Sequence, residues 1–272
     1  MAARHARPCT LGRNRAGRDH DRLDVITGLP PEASNGEMGM PGTDTDKGFW
    51  RMLTVREQGD LSAAGQIRIY RPGSIICNEG DLATHLSVLV TGSVKIISVT
   101  ADGDRRVVAL RGNGDVIGEI SGETTGQRTA TVQAIDEVHA LIVSYERFGA
   151  FLESHPKAAR AYLRVMIQRW GEAAAMLSTL SVTTGQQRLA ALLLQLAGQH
   201  GHGTNGEIQI ALPLSQEELA GLASTSRTTV TRALRNWWRR GFIRTGQRQT
   251  TILDQLALQR AAGPQSAARQ AR

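Results

Sequence analysis

The sequence holds almost nothing that could tie it together covalently or through a metal. Its 272 residues include two cysteines, Cys9 and Cys77, without the paired spacing that a disulfide framework, a zinc site or an iron–sulfur cluster requires. Cys77 therefore reads as a small buried hydrophobe, because free cysteine packs readily in cores. Long apolar runs are missing too. The most hydrophobic stretch, LAALLLQLA at residues 189–197, is far short of the roughly 20 residues needed to cross a bilayer, so no spanning helix is expected. The opening MAARHARPCTLGRNRAGRDHDR is rich in arginine and lacks the apolar core of a secretory signal, which leads us to expect a cytoplasmic protein. Catalytic groupings are also wanting. Asp104, Glu119, Glu123, Asp136 and the scattered histidines have no spacing that pairs a nucleophile with a base, or an acid with a base. His200 and His202 lie in a glycine-rich stretch, residues 198–203, and read as exposed loop residues because no third ligand is near them. Neither an enzyme nor a metal site is expected.

What is present is positive charge and a change of pattern along the chain. The formal net charge of +7 suits a polyanionic partner, and by itself fits either nucleic acid or an anionic membrane surface. Residues 1–48 mix Arg, Gly, Pro, Asp and Thr without periodicity, and read as a disordered tail. That tail is either a solvated extension or a start placed upstream of Met38 or Met40. Residues 49–155 carry short Val- and Ile-rich runs broken by turn signals such as Ala101-Asp102-Gly103-Asp104, the mark of many short antiparallel strands in a β sandwich or barrel.

Residues 156–183 change to helical spacing. Leu163, Met166, Trp170, Ala173, Leu177 and Leu180 step by three and four, the seam of a coiled coil on a helix about 40 Å long. The stripe either joins two copies of the chain or packs on the chain's own β domain, and its narrow, regular form favours self-association. Residues 184–260 begin with a second helical stretch, QQRLAALLLQLAGQHG, expected to stop at the glycines of residues 198–203. Residues 261–272 read as a disordered C-terminal tail.

Residues 225–243, TSRTTVTRALRNWWRRGFI, contain five arginines and no acidic residue. Upstream, Ser215 before QEE suits a helix N-cap, with that helix running to about Ala223. Ser224 and Thr225 make a turn, and Ser226 caps a second helix, giving a helix-turn-helix. Val230, Ala233, Leu234 and Trp237 follow i, i+3, i+4, i+7 and face inward. Ser226, Arg227, Thr228, Thr231, Arg232 and Arg235 are left to meet a partner. Guanidinium groups match guanine O6 and N7, and threonine can bond a base edge or touch a thymine methyl. A basic helix face can simply be solvated. The hairpin pattern that follows, Phe242-Ile243-Arg244 then TGQRQ then residues 250–253, completes a winged arrangement and favours double-stranded DNA.

In the β region, Gly118-Glu119 stands nine residues before Arg128-Thr129. Arginine offers a planar pair of donors to a phosphate, an ionised glutamate accepts from a ribose hydroxyl, and Gly118 permits close backbone approach. The pair alone is a weak signal. Together with the long helix and the winged helix-turn-helix, it makes residues 49–258 resemble the CRP/FNR family of bacterial transcription regulators, cyclic AMP receptor proteins above all. That family's phosphate-binding cassette looks like Gly118, Glu119, Arg128 and Thr129 here, and its SRxTVxR recognition motif matches Ser226, Arg227, Thr229, Val230 and Arg232.

The resemblance implies an α+β chain: an N-terminal β jelly-roll cyclic-nucleotide-binding domain, a long dimerisation helix and a C-terminal winged helix-turn-helix. It implies a homodimer that sets two recognition helices in major grooves about 34 Å apart, cyclic AMP as allosteric ligand with no resident cofactor, and contact with RNA polymerase. Three departures stand out. Thr228 replaces a common glutamate, which shifts base preference. Ser224 stands at a turn position where glycine is frequent, and serine is tolerated there. Ala173 and Ala174 replace the Thr-Ser pair that holds the purine, a loss of about 1–3 kcal/mol of discrimination. This last change leaves open weak binding of cyclic AMP, another cyclic nucleotide, or none. Beside these readings stands a nucleotide sensor that does not touch DNA.

Overall fold

Strand runs this short bury enough apolar surface only when two sheets close on each other. The computed structural model describes residues 48–100, 102–123, 126–180, 183–203, 206–246 and 249–263. The expected tails lie outside the described residues, apart from residue 48 and residues 261–263. One four-stranded antiparallel sheet has the order β1 (Gln66–Tyr70), β8 (Val138–Ser144), β3 (His85–Thr91), β6 (Val116–Ile117). The other has the order β2 (Ile75–Cys77), β7 (Thr131–Ala134), β4 (Val94–Val99), β5 (Arg105–Arg111). This 1-8-3-6 and 2-7-4-5 order is a jelly roll. The β4–β5 turn forms where expected, with the Gly103 amide donating to Thr100 O at 2.9 Å and Gly103 at φ +84°.

Within β8, residues 140–143 are continuously apolar because both faces of the strand are covered. Val138 and Ala140 point between the sheets with Leu89, Val94, Ile117 and Val132. Leu141 and Val143 point the other way, into a cluster with Phe49, Phe148 and Phe151. That second cluster is built by helices which the strand pattern did not foretell: α1 (Phe49–Met52), α2 (Val55–Ala63) and α4 (Tyr145–Ser154). Between the sandwich strands, a further short helix, α3, covers Glu119–Glu123. Cys77 is half-buried against the inner cluster; Cys9 lies outside the described residues.

The long helix α5 spans Pro156–Leu180, and proline at its first position costs no hydrogen bond. Ala158, Ala161 and Val165 are buried on the Phe49 cluster. The helix then leaves that core: Leu163, Ile167, Trp170, Leu177 and Leu180 are exposed, Trp170 by 78% and Leu177 by 70%. Met166, expected on the outer seam, packs partly against the Phe49 cluster instead. Ile167, one residue on, occupies the outward position, because steps of 4, 3 and 4 from Leu163 reach Ile167, Trp170 and Ala174.

α6 (Gly185–His200) starts with a capping box between Thr184 and Gln187. It continues through Gly198, past the expected stop. His200 is therefore in the last helical turn and half-buried, where burial pushes its pKa down, and only His202 is exposed, on the short strand β9 (Gly201–His202). The expected loop assignment of His200 is thus corrected. The C-terminal sheet has the order β11 (Ile243–Gly246), β12 (Gln249–Ile252), β10 (Ile208–Ile210), β9. It shares a core with α6, α7 (Gln216–Leu222), α8 (Arg227–Arg239) and α9 (Gln255–Ala262). α9 runs two residues beyond the expected end at 260, and Ala262 is buried.

The two units touch. A Cβ on Gly221 of α7 would fall 2.7 Å from Val107 O on β5. Beside that contact, Lys95 Nζ of β4 lies 2.5 Å from Glu218 Oε1 of α7.

Candidate functional site

The β6–α3 corner builds one candidate site. Gly118 has φ +79°, a conformation that favours glycine, and a Cβ there would fall 2.1 Å from Arg128 Nη1. Arg128 is thus laid across bare backbone and is 5% exposed. Its Nη1 makes long contacts to Gly118 O (3.5 Å) and Tyr145 Oη (3.4 Å), while Tyr145 Oη donates to Gly118 O at 2.6 Å. A buried guanidinium held by weak bonds to neutral acceptors can still bind an anion in the low-dielectric interior. The local field is positive. His85 at the start of β3 is pushed down to about 4 by burial, then by the charges of Arg128 and Arg68. Thr129 is exposed beside Arg128.

Glu119 is brought to the same corner, and α5 meets it there. Arg169 Nη1 lies 2.6 Å from Glu119 Oε1, and its Nη2 lies 2.7 Å from Asp115 Oδ1, with all three side chains mostly buried. Arg169 is a site residue that sequence reasoning missed. It pairs with a residue 50 positions away, and no local motif carries that pairing. Ala173 and Ala174, one turn further along α5, are exposed and offer no hydroxyl. Cyclic-nucleotide chemistry fits this donor set: Arg128 for the phosphate, Glu119 for the ribose, and a helix rather than a loop closing the far side.

The second candidate site is α8. Ser226 caps it, its Oγ accepting from the Thr229 amide at 3.1 Å. Val230, Ala233, Leu234 and Trp237 are buried, as their spacing predicts. Arg227, Thr228, Arg232 and Arg235 are exposed together on the outer face. Thr231 is half-buried, and its hydroxyl lies 2.6 Å from Gln216 Oε1 on α7, so it ties the two helices together. The turn is braced from below by Arg188 of α6, whose Nε donates to Ala223 O (3.0 Å) and whose Nη2 donates to Ser224 O (2.8 Å). Ser224 takes the left-handed conformation at φ +47°, which explains why glycine suits this turn. β11 and β12 pair antiparallel from Ile243↔Ile252 to Gly246↔Gln249 and form the wing. Among the described residues, no His, Cys, Asp and Glu group could hold a metal ion, and no helix is long and apolar enough to cross a membrane.

A nucleotide-type cassette joined by one helix to a winged helix-turn-helix defines a DNA-binding regulator with a cyclic-nucleotide-binding domain. Family models agree: Cyclic nucleotide-binding domain matches residues 67–155, and Crp-like helix-turn-helix domain matches residues 187–261. The chain belongs to the CRP/FNR family of transcription regulators. It is 32% identical over 190 residues to the CRP-like cAMP-activated global transcriptional regulator of Mycobacterium tuberculosis, covering 70% of this chain and 85% of that one. It is 32% identical over 207 residues to the Cyclic AMP receptor protein of Thermus thermophilus, covering 74% and 93%. Its fold is similar to that of the c-di-GMP responsive global regulator CLP of Xanthomonas campestris, with TM-score 0.64 at 22% identity, covering 73% of this chain and 99% of that one.

Proposed function

We propose that this chain is a cytoplasmic, homodimeric transcription regulator whose DNA affinity is raised by cyclic AMP held at Gly118, Glu119, Arg128 and Thr129. It acts as a regulator and not as an enzyme, and works with RNA polymerase. In this reading, residues 49–155 hold the ligand, 156–183 join the protomers, and 184–260 bind DNA. The observation that carries it is the Arg169 bridge. The residue suited to a ribose hydroxyl, Glu119, is already gripped by the helix that leads to the DNA-binding unit, so a ligand at Glu119 must act on α5. An ordinary allosteric coupling of about 1–3 kcal/mol between sites needs no more than a shift in that grip. The apolar stripe of Leu163, Ile167, Trp170 and Leu177 is exposed in one chain and suits a second copy's α5.

Isothermal titration with cyclic AMP and cyclic GMP tests the ligand, with Arg128→Ala as control. Binding in about the micromolar range that the variant loses supports the reading; no heat from either nucleotide removes its ligand half. A second reading keeps the DNA role with another effector or none. The exposed Ala173 and Ala174 favour it, and DNA affinity that is unchanged by either nucleotide would establish it.

A further inference from the structure

The end of α8 carries a feature that the base-reading residues do not use. Trp237 is 3% exposed, but its neighbour Trp238 is 55% exposed. At 100° per residue, Trp238 lies within about 20° of Arg227 around the helix and about 16 Å further along it. It therefore lies at the edge of the outer face, on the side of Thr231 rather than Arg232, and beyond the stretch from Thr228 to Arg235. That stretch is about 10 Å long, and a major groove is about 12 Å wide. With its axis laid across the groove, α8 would set Trp238 where the groove ends and the sugar–phosphate wall begins. Residues 224–246 contain no acidic residue. Arg239 is exposed beside it, while Arg240 is folded over the Phe242 ring at 4.5 Å and points elsewhere.

We propose that Trp238, with Arg239, binds the DNA sugar–phosphate backbone at the outer edge of each half-site, adding affinity that is independent of sequence. This rests on α8 entering the major groove. An indole is a donor only, with one N–H and a large apolar face. A phosphate oxygen beside a deoxyribose presents the complement to both. An acidic protein surface is the competing occupant, and continuity with the DNA-facing side of α8 argues for the backbone instead.

Fluorescence anisotropy on a labelled duplex recovered by randomised-site selection, and on a random-sequence duplex of the same length, tests it with the full chain, with and without cyclic AMP. Trp238→Ala, with its melting temperature unchanged, binds both duplexes about five- to tenfold more weakly, with the salt dependence unaltered. Trp238→Phe recovers part of the loss. Arg239→Gln weakens both duplexes and reduces the salt slope by about one. Trimming the duplex so that it ends inside this position brings wild type down to the Trp238→Ala value. Trp238→Ala binding both duplexes within twofold of wild type, while Arg232→Ala loses affinity, overturns the inference and leaves groove entry standing. So does a Trp238→Ala variant that keeps DNA affinity but loses transcription in vitro, which assigns the patch to a protein. Failure of wild type to bind any duplex sinks the groove reading and this one together.

Discussion

Replacing Lys95 by methionine should loosen the DNA-binding unit from the β sandwich without unfolding either. Lys95 and Glu218 face each other across the two units with side-chain exposures of 17% and 13%. Burial pushes the Glu218 carboxyl up. The hydrogen bond from Lys95 and those from Ser215 together outweigh it and hold the carboxyl below its ordinary value of 4.5. Removing one partner of a fully buried pair costs about 3–5 kcal/mol. Here Glu218 keeps the Ser215 amide at 2.6 Å and some water, so a coupling of about 1–2 kcal/mol is expected. A double-mutant cycle of Lys95→Met and Glu218→Gln in urea denaturation measures it. Domain separation is followed in parallel by limited proteolysis between α5 and α6. The contribution should be present above about pH 4.5 and fade as acid protonates Glu218 through its lowered native pKa. A coupling under about 0.3 kcal/mol, or proteolysis at wild-type rates, would refute the reasoning that this pair holds the units together.

Gly118→Ala should leave the fold in place at a cost of about 1–2 kcal/mol for a left-handed alanine, while displacing Arg128, whose Nη1 lies 2.1 Å from the added Cβ. Titration should then detect at least a tenfold loss of nucleotide affinity, and an unchanged affinity would separate Arg128 from the ligand. Ser224→Gly should stabilise the chain by about 0.5–1 kcal/mol, relieving φ +47° at a smaller entropy cost. The Arg188 bond to Ser224 O is to backbone and survives, so a lowered urea midpoint would show that the serine hydroxyl has a role of its own.

Much of the architecture was legible because it repeats over short range. The Ser215 and Ser226 caps, the Val230 to Trp237 spacing and the glycine-broken strands each need fewer than about a dozen residues to declare themselves. The helices over the sandwich were a different case. α2 carries a readable capping box, Thr54 with Glu57, but Phe49 and Leu61 reveal their role only against Phe148 and Leu141 from distant elements. Met166 and Ile167 differ by one step on α5, and an ideal seam cannot choose between them until the sandwich covers one side. The candidate site divides in the same way. Gly118 and Arg128 stand close in sequence and were found as a motif. Arg169 reaches Glu119 only because α5 crosses the mouth of the cassette.

That crossing also explains how the two sites can be joined physically. β5 carries Val107 beneath Gly221 of α7 and, about 14 Å further along the same strand, Arg111. Burial, and then the charge of Arg169, lowers the pKa of Arg111; Asp115 and Glu119 oppose that effect. A phosphate or ribose that drew Glu119 away from Arg169 would therefore change the field at one end of a strand whose other end supports the helix-turn-helix. β5 is hydrogen-bonded to β4 along this length, with a register shift between Val107 and Ala109, and coupling through it would be a measurable quantity and not a matter of adjacency. An Arg111→Met variant should change the nucleotide dependence of DNA binding while leaving Arg128 and the recognition helix intact. If that dependence stayed as in wild type, the signal would have to travel along α5 alone.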